Sequence, residues 1–272
     1  MAYSNKSPKT HQEMENKGTH FVLVHGSCHG AWCWYKVVAL LKSKGHKVTT
    51  LDLASSGIHP KPIHEIKSIS DYVEPLMDFM ASLPPEERVI LVGHSVGGAC
   101  ISVAMERFPE KISVAVFATA CMPGPDLSFS IINEKYGQSL DSYLDSEFTF
   151  DKGPGHPPTT IVFGPKFMES KLYQLSPPED LVLGMSLIRP INLSVTIFSP
   201  EDQPSKEKYG SVNRVFILCD QDNVMKPSLQ EWMIQNNPPD EVKVINGSDH
   251  MVMFSKPVDL TCCLQEIAQK YS

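Results

Sequence analysis

The 272-residue chain has no run of about 18 consecutive apolar residues, so nothing in it reads as a membrane-spanning helix. Its 24 Lys and Arg against 31 Asp and Glu form no basic cluster, and the formal net charge is −7. That balance argues against nucleic acid or an anionic membrane surface as a partner and leaves a small neutral or apolar ligand. Residues 1–18 lack an apolar h-region, which argues against a secretory signal and predicts a loose N-terminal tail. The 7 cysteines are odd in number and without paired spacing, with Cys262 and Cys263 adjacent, so no disulfide framework is predicted and a reducing, cytoplasmic compartment is. Internal repeats and low-complexity segments are also lacking.

What is present fills a core. The 42% of hydrophobic residues suffice for one sizeable α/β domain, not for two independent ones. Apolar runs at 20–24 and 47–51 read as buried strands, with helical spacing at 31–44 between them and at 69–83 after them. Pro75 predicts a kink in the second helix. A strand at 89–92, a helix at 98–108 and a strand at 112–117 continue the alternation, which implies a mainly parallel sheet flanked by helices. From 123 to 204 the pattern breaks into a stretch rich in Pro, Gly and Ser with scattered aromatics. An unstructured loop of that length is unusual in a compact domain, so an inserted cap is predicted there. Alternation resumes with a strand at 212–219, a helix at 227–236, a strand at 242–245 and a helix at 258–271, so the core comprises 19–122 and 205–272.

Chemistry enters at Gly93-His94-Ser95-Val96-Gly97, between the 89–92 strand and the 98–108 helix. In that context G-x-S-x-G reads as a nucleophile elbow: the serine sits on a strained strand-to-helix turn, and the flanking glycines remove side chains that would clash. A serine hydroxyl is a poor nucleophile at neutral pH and needs a general base, itself oriented by an acid. In α/β hydrolases these follow in the order acid, then histidine, on loops after late strands. Asp220 and Asp222 follow the 212–219 strand, and His250 lies beyond the 242–245 strand; either aspartate could be the acid. Backbone N–H donors for an oxyanion are predicted at Val96 and at Ser27, in the loop His25-Gly-Ser-Cys-His-Gly30. His25, Cys28 and His29 alone do not make a zinc site, because no second ligand cluster accompanies them.

At this point the chain resembles the plant methylesterase and hydroxynitrile lyase family of α/β hydrolases over nearly its whole length. The resemblance is carried by His20-Phe-Val-Leu-Val-His-Gly, Cys28-His-Gly-Ala-Trp32, Gly45-His-Lys-Val-Thr49, Gly93-His-Ser, Pro109-Glu-Lys-Ile-Ser-Val-Ala-Val-Phe117, Phe163-Gly-Pro-Lys-Phe167, Tyr209-Gly-Ser-Val212 and Asp249-His-Met251. It implies the α/β-hydrolase fold with Ser95 as nucleophile, His250 as base, Asp222 as orienting acid, and Ser27 and Val96 as oxyanion donors. It also implies a pocket walled from the cap by Tyr143, Phe148 and Ile161, no cofactor, no metal, and a homodimer, since family members are often dimers. Hydroxynitrile lyases of this type carry threonine in place of Gly26 and lysine in place of Met251. An apolar Met251 wall in the substrate site points to the esterase branch. Val96, in place of a larger apolar residue, and Asn223, in place of a frequent lysine, depart from the pattern.

The resulting expectation is a serine carboxylesterase acting on a small-molecule methyl ester. An indole alkaloid ester is slightly favoured over a plant-hormone ester, with decarboxylation following where the acid product carries a β-carbonyl. The alternatives are a receptor-like hydrolase with little turnover, and a hydroxynitrile lyase.

Overall fold

The computed structural model describes residues 18–140, 142–153 and 155–271; of the tail expected at 1–18, residues 1–17 lie outside them. The strands are β1 (His20–Val24), β2 (Lys47–Thr50), β3 (Val89–Ser95), β4 (Ile112–Ala120), β5 (Glu147–Thr149), β6 (Thr160–Val162), β7 (Ile191–Asn192), β8 (Arg214–Cys219) and β9 (Glu241–Ile245). The helices are α1 (Tyr35–Ser43), α2 (Ile69–Ser82), α3 (Gly97–Arg107), α4 (Phe129–Ser139), α5 (Pro165–Phe167), α6 (Pro178–Leu187), α7 (Pro227–Asn236), α8 (Val252–Ser255) and α9 (Pro257–Tyr271).

The main sheet has 6 strands in the order β2-β1-β3-β4-β8-β9, and each neighbouring pair is parallel. The central strands are buried almost from end to end, whereas β2 and β9, at the edges, are half-exposed. Continuous apolar runs suit strands covered on both faces; alternation suits an edge with one wet face. The chain enters at β1, one strand in from the edge, steps outward to β2, and crosses back to β3, which places the β1–α1 and β3–α3 turns beside each other at the carboxyl edge. Ligands of open parallel sheets bind at that edge.

The structure refines several boundaries. The 31–44 helix is split into a 3-10 turn (Ala31–Trp34) and α1. Helix α2 runs on through Pro75, with Ser68 capping its start by accepting from the Asp71 amide and an apolar stripe from Ile69 to Met80 buried. Proline removes one i→i−4 bond there, and packing of the stripe outweighs the loss. Strands β3 and β4 extend beyond their apolar runs because His94 and Ser95 still pair with Ala118 and Ala120.

Between β4 and β8 lie α4, the small antiparallel sheet β5-β6-β7, α5 running into a π-helical turn (Met168–Leu172), and α6. This cap is held to the core by polar contacts at several points. Asn192 Nδ2 donates to the Ile63 carbonyl at 3.0 Å, Arg189 Nη1 to that of Gly57 at 2.8 Å, and Tyr35 to Asp180 at 2.8 Å. Near the end of the 123–204 stretch, buried Asp202 accepts from Arg107 Nε at 2.9 Å and from Ser199 at 2.7 Å, and also pairs with Ser70 of α2. Removing one partner of such a cluster leaves the other desolvated and uncompensated. Asp202→Ala should therefore lower unfolding stability by about 2 kcal/mol, less than a fully buried pair because Arg107 keeps some solvent contact. An unchanged urea midpoint in the variant would contradict this.

Candidate active site

Strand β3 ends in Ser95, whose backbone sits at φ +55°. A non-glycine residue in that left-handed region costs roughly 1–3 kcal/mol and persists only when its surroundings dictate it. They do so here by close packing: a Cβ on Gly93 would lie 2.6 Å from the Gly97 carbonyl oxygen, and one on Gly97 would lie 2.7 Å from that of His25. Val96 then opens α3, leaving its amide at the helix start.

His250 and Asp222 meet as predicted for a base and its acid. His250 Nδ1 lies 2.6 Å from Asp222 Oδ2, both residues being almost wholly buried. Three further groups hold the carboxylate: the same Oδ2 accepts from Thr119 Oγ1 at 2.5 Å, while Oδ1 accepts the amides of Val224 and Met225 at 2.7 and 2.8 Å. Donors of that number fix the carboxylate in place. The arrangement requires Nδ1–H on His250 and frees Nε2 as a lone-pair base. Asp220 has another role: its Oδ1 accepts the Gly247 amide at 2.7 Å and so secures the loop that carries His250.

Several contributors are not legible from the sequence. His94 Nε2 donates to the His250 carbonyl at 2.8 Å, and the two rings lie 4.7 Å apart. Thr119, at φ +38°, turns its hydroxyl onto Asp222. Both bonds span more than a hundred residues, and no local pattern announces them.

Ser95 and His250 face a cavity of about 940 Å³ between core and cap. Ser27 and Val96 line it beside them, as do Tyr143, Phe148 and Ile161 from the cap, with Phe129, Tyr136 and Phe163 adding aromatic surface. Met251 is not part of this wall. It is 0% exposed and lies in the core, because its amide donates to Asp249 and its carbonyl begins α8, which turns the side chain away from the cavity. Gly26 packs against Ser95: a Cβ there would meet Ser95 Cβ at 2.8 Å and His94 Nδ1 at 2.9 Å, so the threonine of the lyase pattern has no room without rearrangement.

Among the described residues no group of His, Cys, Asp and Glu is arranged to hold a metal ion. His25 spans the Gly26 carbonyl and the Leu53 amide, Cys28 donates to the Ile161 carbonyl, and burial pushes the Cys28 thiol up to about 12. The 7 cysteines are free thiols, and among the described residues no helix is long and apolar enough to cross a membrane.

A family model described as the alpha/beta hydrolase family matches residues 21–262. Methyl jasmonate esterase 1 of Vitis vinifera is 58% identical over 261 residues, covering 95% of this chain and 100% of that protein. Polyneuridine aldehyde esterase of Rauvolfia serpentina is 45% identical over 251 residues, 92% of this chain and 95% of its own. The crystal structure of tomato Methylketone Synthase I superposes with a TM-score of 0.90 at 52% identity, covering 94% of this chain and 99% of that one.

Burial gives the site a pH signature. Desolvation lowers the pKa of His25 and His94, and brings that of His29 to about 4. Because their unfolded value is about 6.5, the unfolded chain binds protons that the folded one does not, and stability is lost as pH falls from about 6.5 towards 4. Buried Asp249, whose pKa is raised chiefly by desolvation, acts in the opposite sense but as one group against three. Urea midpoints should fall steeply between pH 7 and 5; a flat profile would contradict the neutral assignment of these rings.

Proposed function

The chain belongs to the plant methylesterase family of α/β hydrolases, and from that membership we propose that it hydrolyses methyl esters of small plant acids with Ser95 as nucleophile. The observation that carries this reading is the juxtaposition of a left-handed Ser95 on the cavity wall with a His250 ring whose tautomer Asp222 dictates.

In the proposed reaction His250 Nε2 takes the Ser95 hydroxyl proton as Oγ attacks the ester carbonyl. The oxyanion accepts from the amides of Ser27 and Val96, each donor contributing about 3 kcal/mol to the barrier reduction. His250 then protonates the departing methanol, and water, activated by the same ring, releases the acid from the acyl-enzyme. Asp222 stays ionised throughout and stabilises the imidazolium. No step calls for a cofactor.

The size of the cavity supports a larger acyl group over a compact aromatic one. At about 940 Å³ it stands at the upper end for small-molecule sites, and its lining combines apolar and aromatic residues with polar ones such as Asn133, Lys152 and Asn192. Together with the higher identity to methyl jasmonate esterase 1 than to polyneuridine aldehyde esterase, this favours a methyl jasmonate-type ester over the indole alkaloid ester. A second reading is supported by the likeness to Methylketone Synthase I: a β-keto ester is accepted, and the freed β-keto acid loses CO₂ to give a ketone.

Product analysis by mass spectrometry decides among these when the protein is offered methyl jasmonate, methyl salicylate, methyl indole-acetate, an indole alkaloid methyl ester and a β-keto methyl ester. Methyl jasmonate should be cleaved with kcat/KM at least tenfold above the compact aromatic esters, and Ser95→Ala and Asp222→Asn should each reduce turnover on the order of 10⁴-fold. Cleavage that survives Ser95→Ala, or no cleavage of any ester, overturns the reading.

A further inference from the structure

The cap does more than cover the cavity. After the π-helical turn Met168–Leu172, in which the Tyr173 amide reaches back to the Met168 carbonyl, residues 173–176 form a tight turn closed by the Ser176 amide on the Tyr173 carbonyl at 3.0 Å. Three core loops meet this turn, and each is touched next to the residue on which the proposed chemistry depends.

Tyr173 reaches the oxyanion loop. Its hydroxyl lies 2.6 Å from His29 Nε2, and His29 Nδ1 lies 2.8 Å from the Ser27 carbonyl. A carbonyl only accepts, so Nδ1 carries the proton, Nε2 accepts from Tyr173, and the peptide unit of Ser27 is fixed through the ring. Gln174 reaches the acid loop, its Nε2 donating at 2.6 Å to the carbonyl of Gln221, the neighbour of Asp222. Leu175 and Ser176 reach the base loop: the Leu175 amide at 2.9 Å and the Ser176 hydroxyl at 2.8 Å both donate to Asp249 Oδ2. The other oxygen of Asp249 accepts the Met251 amide at 3.0 Å, so this wholly buried carboxylate brackets His250. A buried carboxylate without a cationic partner is costly to keep, and its bonds to the turn and to the base loop account for its presence.

We propose that the turn 173–176 is a positioning element that holds the oxyanion loop, the acid loop and the base loop in register from the cap side. The proposal rests on the serine esterase reading above. Tyr173, Gln174 and Ser176 act through Ser27, Asp222 and His250 and touch no reacting atom; what they supply is geometry, to which catalytic rates are steeply sensitive.

The test is steady-state turnover of p-nitrophenyl acetate, with thermal midpoints in parallel, for Tyr173→Phe, Gln174→Ala, Ser176→Ala and Ser176→Thr. Asp180→Asn serves as a control, because Asp180 ties α6 of the cap to Tyr35 and Lys36 and touches no catalytic loop. The proposal predicts kcat lowered about tenfold in each of the first three variants with KM within twofold, kcat restored in Ser176→Thr, and a lowered thermal midpoint with unaltered kcat in Asp180→Asn. Wild-type kcat in all three turn variants, a rise in KM alone, or an equal loss of kcat in Asp180→Asn would overturn it. Ser95→Ala is run alongside: turnover that vanishes there while the turn variants match wild type overturns the positioning role alone, and turnover that persists there overturns the esterase reading and this proposal with it.

Discussion

The backbone of Ser95, held at φ +55° between β3 and α3, is the constraint around which the rest of this molecule is arranged. It is maintained by contact rather than by intrinsic preference: Gly93 and Gly97 pack so closely, against each other and against β1, that a side chain on either would displace the turn. The central sheet supplies the rigidity. Strands β1, β3 and β4 are buried along nearly their whole lengths, so the elbow stands on the least deformable part of the fold. A single strained residue is affordable there because the packing energy of a whole sheet opposes its relaxation.

The second organising feature is polar and long-range. Asp222 collects Thr119, two amides and the His250 ring, and His94 holds the other side of His250 through its carbonyl. Each of these groups is buried, where a satisfied hydrogen bond is rigid and an unsatisfied one expensive. His250, the proposed base, is thereby fixed in ring orientation, tautomer and backbone position by different elements. The depressed histidines around it belong to the same logic, since burial strips an imidazolium of its hydration and lowers the pKa of His25, His29 and His94.

Much of the core could be read from the chain. Alternating apolar runs and helical spacing located β1 to β4 and the helices α1 to α3, because parallel strands buried on both faces leave an unmistakable local pattern. The elbow motif and the strand order pointed to Ser95, to His250 and to the pair Asp220 and Asp222, the family resemblance singled out Asp222 of that pair, and the structure brings Asp222 and His250 into direct contact. Other features escaped for identifiable reasons. Strands β5 to β7 are only two or three residues long and carry no periodicity. β3 and β4 run past their apolar segments because pairing, not hydrophobicity, carries them to Ser95 and Ala120. Met251 was placed in the cavity by analogy of position, yet the turn into α8 rotates it into the core. Thr119, His94 and Asp249 act through partners far away in sequence, and such contacts leave no trace until the chain has folded.

The central claim, that Ser95 is the activated nucleophile of an esterase, is tested most directly by reacting the protein with a fluorophosphonate and mapping the adduct by peptide mass spectrometry. The account predicts a single phosphonylated residue, Ser95. An adduct on another residue, or no adduct under conditions that label an ordinary serine esterase, would contradict it.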